Sequence, residues 1–115
     1  MKNKLKNKNI TFLGVTFKPN TDDMREASSI PMINYLNKKG SKIRYYDPSG
    51  RKKEFDKLKN VKFYSSISSA CIKSDLIIIH TEWNAFKLLD FKRLVKKKNF
   101  KAVSYTHLRA HETLP

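Results

Sequence analysis

The sequence predicts an α/β fold in three layers, an open parallel sheet of about five strands with helices on both faces. Two observations carry this expectation. Apolar runs of strand length recur along the chain: "NITFLGV", "KIRYYDP", "VKFY", "DLIIIHT" and "FKAV". Segments of helical character lie between them, and that alternation implies right-handed crossovers and a parallel sheet.

Each element has its own reason. Residues 9–15 form a short apolar run bounded by polar residues, as suits a buried parallel strand. After a polar turn, "SSIPMINYLNKKG" reads as a helix. Ser28 or Ser29 is its candidate N-cap, and Pro31 falls in the first turn, where a missing N–H costs nothing. Ile30, Ile33, Tyr35 and Leu36 supply an apolar face, and Gly40 ends the helix. "KIRYYDP" (42–48) is a second strand closed by Asp47-Pro48, followed by a weak helix through Phe55 and Leu58 and a short strand at 61–64. "SSISSACIKS" reads as a helix with Ile67, Ala70, Cys71 and Ser74 on one side. In "DLIIIHT" (75–81), four consecutive aliphatic residues mark a strand buried on both faces. "EWNAFKLLDFKRLVKKK" reads as helical with a break near Asp90, and a last strand begins at Phe100. The whole is a Rossmann-like arrangement.

Composition bounds the function. A chain of 115 residues is one small domain at most, or a piece of a larger protein. At 39% hydrophobic and 11% aromatic it can form a real core. No apolar run approaches the roughly 20 residues needed to cross a bilayer, so no membrane partner is expected. The single cysteine, Cys71, excludes a disulfide within the chain and fits a reducing, cytoplasmic setting. The net charge of +15 raises the possibility of a basic nucleotide- or RNA-binding module. Nearly all of the excess is lysine, however, without the Arg forks or aromatic–basic interleaving of nucleic-acid readers, so no nucleic-acid partner is expected.

The polar stretch "GVTFKPNTDDMREASS" (14–29) comes directly after the first strand. Ligands of open parallel sheets bind outside the carboxyl ends of the strands, which puts this stretch at the binding edge by topology alone. Pro19 fixes its own φ, and Asn20, Asp22 and Asp23 can hydrogen-bond nearby backbone N–H groups. Glu26 precedes a helix N-terminus, where negative charge is favourable. These residues are expected to shape the loop.

"FLGVTFKPNTDDMREASSIPMINYL", with "YYDP" and "DLIIIHTEWNAFKLLDF", closely resembles the C-terminal, UDP-binding domain of the UDP-glucose/GDP-mannose dehydrogenase family. The resemblance covers about residues 8–102, and the Thr-Glu-Trp segment is most like the UDP-glucose 6-dehydrogenase branch. It implies an enzyme that oxidises the C6 alcohol of UDP-glucose to a carboxylate by two hydride transfers to NAD, through a thiohemiacetal and a thioester on a cysteine. It also implies that Phe17 and Lys18 touch the nucleotide sugar and that Arg25 reaches NAD held by a neighbouring domain. A UDP-N-acetylhexosamine or GDP-mannose dehydrogenase is the alternative within the family, and a stand-alone basic nucleotide- or RNA-binding module is the alternative outside it. Homodimers or larger homo-oligomers are implied for the full-length enzyme.

The chain has no Gly-x-Gly-x-x-Gly fingerprint and no Gly-rich cysteine loop. The expectation is therefore a fragment, inactive alone, that works with N-terminal and central domains supplying NAD binding and the thiol. Cys71 is expected to be a buried structural thiol. His80 is expected to be a hydrogen-bonded structural histidine, and Trp83 and Phe86 to anchor the next helix against the sheet. Residues 1–8 read as a polar remnant of an upstream linker or helix, and 9–103 as the nucleotide-sugar-binding domain, incomplete at its end. After "NFKAV" the family pattern breaks off. "SYTHLRAHETLP" (104–115) resembles a translated sequencing adaptor and is expected to be non-native. His107, Arg109 and His111 then carry no function, and no metal site is expected despite the His-x3-His spacing.

Overall fold

A computed structural model describes residues 4–105. Its strands are β1 (Asn9–Leu13), β2 (Lys42–Tyr46), β3 (Val61–Phe63), β4 (Leu76–Ile79) and β5 (Lys101–Ser104). All neighbours pair in parallel, in the order β3-β2-β1-β4-β5. The helices are α1 (Ser29–Lys38), α2 (Ile67–Cys71) and α3 (Phe91–Val95).

Side-chain alternation along the strands divides the core into two layers. Ile10, Phe12, Ile43, Tyr45 and Ile78 face one side, where they meet Ile33 of α1 and Phe55. Leu13 and Ile77 face the other, against Cys71 of α2, Val95 of α3 and Phe86. Helices thus cover both faces, as expected. Thr11, fully buried in β1, donates its hydroxyl proton to the carbonyl of Ala70 at 2.7 Å, so α2 satisfies the one polar side chain in that strand's middle.

Four elements depart from the sequence reading, one of them the helix read over 65–74, which spans only Ile67–Cys71 and leaves Ser74 beyond its end. Tyr35 is 56% exposed rather than part of the α1 core face, which is made by Ile33 with Ile30, Met32 and Leu36. A residue two positions from Ile33 lies about 200° around the helix, so Tyr35 faces outward, with the Lys39 ammonium over its ring. The weak helix after β2 is only a 3₁₀ turn at Lys53–Phe55. The segment 82–98 is a 3₁₀ turn at Asn84–Phe86 and then α3. The Asp90 carboxylate restarts the chain by capping α3 at the Arg93 N–H, and Lys96, at φ 55°, ends it in a left-handed conformation.

Two further expectations hold, at Gly40 and Phe86. Gly40, at φ 88°, ends α1, and the Ser41 N–H returns to the Leu36 carbonyl. Phe86 is buried, and its ring meets Tyr46 edge-on at 6.1 Å. Residues 4–8 form a turn tied to the end of α1 by Asn7 N–H donating to Gly40 O and Ser41 Oγ donating to Leu5 O.

The strand order decides where a ligand can sit. From β1 the chain moves outward through β2 to β3, then returns to place β4 against the other side of β1. The connections leaving β1 and β4 therefore run to opposite sides, which puts the switch point of the sheet, where ligands of open parallel sheets bind, at the carboxyl ends of those two strands.

Candidate functional site

Two segments meet at that switch point: residues 14–29 after β1 and residues 80–83 after β4. Gly14 begins the first. At φ 79° it adopts a conformation that other residues reach only with strain, and a Cβ there would lie 2.7 Å from both Cβ and O of Thr81. Glycine lets the two segments touch. The Gly14 N–H then donates to Tyr46 O at 2.8 Å, and the Val15 N–H donates to Asp47 Oδ2 at 2.8 Å. Asp47 is 1% exposed, and its other oxygen accepts from the N–H and hydroxyl of Ser49.

Beyond Val15 the backbone is pinned around two outward-facing side chains. The Thr16 carbonyl accepts from Thr81 Oγ1 at 2.7 Å. The Phe17 N–H donates to the Asp23 carbonyl at 3.1 Å, and Thr16 Oγ1 donates to the Lys18 carbonyl at 2.9 Å. Thr16 is fully buried, whereas Phe17 is 51% exposed and Lys18 is also exposed. A large apolar ring and an ammonium thus stand in solvent on a fixed main chain, which costs little ordering entropy when a ligand arrives.

The loop then turns back through Asn20, at φ 66°. The Asp23 carboxylate accepts from the Arg25 N–H at 2.8 Å and holds its guanidinium in a two-pronged pair at 3.1 and 3.0 Å. These bonds hold the Asp23 carboxyl below its usual range, with a smaller contribution from the Lys18 charge, and raise Arg25. The Asp23 carboxylate thus binds Arg25 directly and feels the Lys18 charge only weakly. Two of the five guanidinium N–H donors of Arg25 are engaged by Asp23. Glu26, at φ 60°, lies before α1 rather than in it.

The serines expected to cap α1 do something else. Ser29 Oγ donates to the Val15 carbonyl at 2.5 Å, fastening the helix to the end of β1. Ser28 occupies the N-cap position, but its hydroxyl pairs with His80 Nε2 at 3.0 Å. His80, buried at the end of β4, also meets Thr81 Oγ1 through Nδ1 at 3.1 Å and stacks on Tyr105. It is a hydrogen-bonded histidine, as expected. The Trp83 indole packs on the Phe86 cluster, and its N–H finds no partner among the described residues. Cys71 is fully buried, and burial pushes its thiol up to about 11.

Sequence reasoning placed Phe17, Lys18 and Arg25 at this edge, and all three are there. It missed Ser28, Ser29, Asp47 and Thr81, which fasten the loop. Of these only Asp47, in "YYDP", had a visible signal, an acid held before proline at a strand end. His107, Arg109 and His111 lie outside the described residues. Among the described residues, no group of three or more His, Cys, Asp or Glu could hold a metal ion, and no helix is long and apolar enough to cross a membrane.

Comparison with known proteins gives a consistent picture. Residues 11–107 match the profile of the UDP-glucose/GDP-mannose dehydrogenase family, UDP binding domain. A UDP-glucose 6-dehydrogenase of Rickettsia bellii (strain RML369-C) is 40% identical over 93 residues, 78% of this chain and 21% of that protein. One from Rhizobium meliloti (strain 1021) is 39% identical over 85 residues, 74% of this chain and 20% of that protein. The chain thus spans about a fifth of the length of the curated relatives it matches. Among solved structures, a UDP-glucose dehydrogenase from the hyperthermophilic archaeon Pyrobaculum islandicum superposes with a TM-score of 0.70 at 25% identity, covering 86% of this chain and 22% of that one. An NDP-N-acetyl-D-galactosaminuronic acid dehydrogenase from Methanosarcina mazei Go1 shares the fold, with a TM-score of 0.72 at 20% identity over 86% of this chain and 20% of that one.

Proposed function

The chain belongs to the UDP-glucose/GDP-mannose dehydrogenase family as its UDP-binding domain, and from that premise we propose that it serves an NAD-dependent UDP-glucose 6-dehydrogenase converting UDP-glucose to UDP-glucuronate. The observation that carries this reading is the Phe17–Lys18 pair, exposed on a three-way pinned main chain at the switch point between β1 and β4. The similarity to UDP-glucose 6-dehydrogenases, at 39% and 40% identity for two of them, supports the choice of substrate.

In this reading Lys18 places its ammonium against the diphosphate or sugar oxygens, a compact charge with several donors. Phe17 packs its ring on the same ligand. Arg25, aimed by Asp23, offers its remaining N–H groups to NAD bound on a neighbouring domain. NAD, when bound, supplies the hydride acceptor. The N-terminal and central domains of the full-length enzyme supply the nucleotide fingerprint and the reactive thiol, so this chain alone is inactive. The enzyme works in the cytoplasm, a setting supported by the free, buried Cys71, and as a homodimer or larger homo-oligomer.

The test is kinetic. The full-length enzyme carrying this domain should form two NADH per UDP-glucose consumed. Lys18→Ala should raise the KM for UDP-glucose or lower kcat by at least ten-fold, and unchanged kinetics would show that the motif is only a turn. Turnover of UDP-N-acetylhexosamine or GDP-mannose in place of UDP-glucose would move the chain to that branch of the family.

A further inference from the structure

We propose that Thr81 and His80 are positioning residues for the nucleotide sugar, acting through the Thr16 carbonyl to hold Phe17 and Lys18 in place. The inference rests on the site reading above and adds residues that never touch the ligand.

The hydrogen-bond donors give the connection a direction. The Thr16 carbonyl can only accept, so the Thr81 hydroxyl commits its single proton there, at 2.7 Å. The contact between His80 Nδ1 and Thr81 Oγ1, at 3.1 Å, then requires the imidazole to donate from Nδ1. In the neutral ring this leaves the lone pair on Nε2, which accepts from Ser28 Oγ at 3.0 Å. With the ring neutral, each hydroxyl or ring N–H donates to the next: Ser28 to His80, His80 to Thr81, and Thr81 to the peptide that leads into Phe17. The series begins at the N-cap of α1 and ends one residue before the contact pair. It joins segments 65 residues apart in the chain, and Thr16, His80 and Thr81 are all buried.

Burial is what makes this connection matter. With the Thr81 hydroxyl removed, the Thr16 carbonyl has lost a buried partner, and the peptide before Phe17 can rotate to seek another. Lys18 Cα lies only two residues on, and a shift of its ammonium by about 1 Å is enough to weaken binding of an oriented ligand strongly. Gly14 lies close against Thr81, so an isosteric side chain at 81 keeps that packing while losing the donor.

The experiment uses the full-length enzyme with Thr81→Val, Thr81→Ser, Ser28→Ala and, for comparison, Lys18→Ala. Thr81→Val should raise the KM for the UDP-sugar about ten-fold while the KM for NAD stays within two-fold, and Thr81→Ser should restore the parent value. Ser28→Ala cuts the far, half-exposed end of the series and should raise the same KM about three-fold, which keeps the test open if Thr81→Val fails to fold. A UDP-sugar KM unchanged in both Thr81→Val and Ser28→Ala would overturn the inference, as would a parallel rise in the KM for NAD. If Lys18→Ala is impaired while those two are not, only the positioning role fails. If Lys18→Ala is itself unaffected, the site reading fails and the inference with it.

Discussion

The Asp47 carboxylate, buried at the end of β2, accepts the Val15 N–H at 2.8 Å and so fixes the direction in which the chain leaves β1. One acid from the second strand thus shapes the loop after the first. Asp47→Ala strands the Val15 and Ser49 N–H groups and should cost about 2 kcal/mol of folding stability. Chemical denaturation of the full-length enzyme or of this domain would show it as a lowered midpoint at constant m-value.

Gly14→Ala should be more damaging than its size suggests. The φ of 79° strains any side chain, and the new Cβ would meet Thr81 at 2.7 Å on both Cβ and carbonyl oxygen. The backbone strain and overpacking together should cost about 3 kcal/mol. Soluble yield and thermal midpoint report this, and a substitution tolerated within about 0.5 kcal/mol would contradict the close approach.

Asp23 should titrate low, with a definite sign for its effect on stability. Its folded carboxyl is depressed from 3.8, chiefly by the hydrogen bond from the Arg25 side chain. Any stability it contributes is therefore present above 3.8 and lost as pH falls through the lower, folded value. An NMR titration of the Asp23 carboxyl should give a midpoint below 3.8, returning toward it in Arg25→Ala. The same variant should raise the KM for NAD several-fold and leave that for UDP-glucose nearly unchanged.

Cys71 should be inert to thiol reagents in the folded protein. Burial raises its thiol from 9.0 to about 11, so the stability linked to the neutral thiol is fully present below 9.0 and declines as pH rises toward 11. At pH 8, alkylation by iodoacetamide should track unfolding. Rapid labelling under native conditions would show that α2 does not seal the site.

The sheet was legible because its signal is local. Five apolar runs mark five strands, and the four aliphatic residues of β4 announce a strand covered on both faces. The segment 82–98 was not legible as built, because its periodic apolar residues suit a continuous helix while two local events, the Asp90 cap and the left-handed Lys96, cut it short. At the site, the outward-facing Phe17, Lys18 and Arg25 could be placed by topology and resemblance. The bonds that fasten them could not. Val15 to Asp47, Ser28 to His80 and Thr16 to Thr81 join positions 32 to 65 residues apart and leave no periodic trace.

The central place of β1 also has a consequence in time. During synthesis β1 leaves the ribosome before its partners, and β2 can pair with one edge soon afterwards. The other edge waits for β4, with Ile10 opposite Leu76, so the growing chain carries an open strand edge through most of the domain's translation. Long-range parallel pairing is slow because loop closure must come before the contacts that stabilise it. The edge where β1 and β4 meet is therefore among the last parts of the domain to exist, and a nascent chain halted before residue 76 should be a substrate for chaperones rather than for ligand.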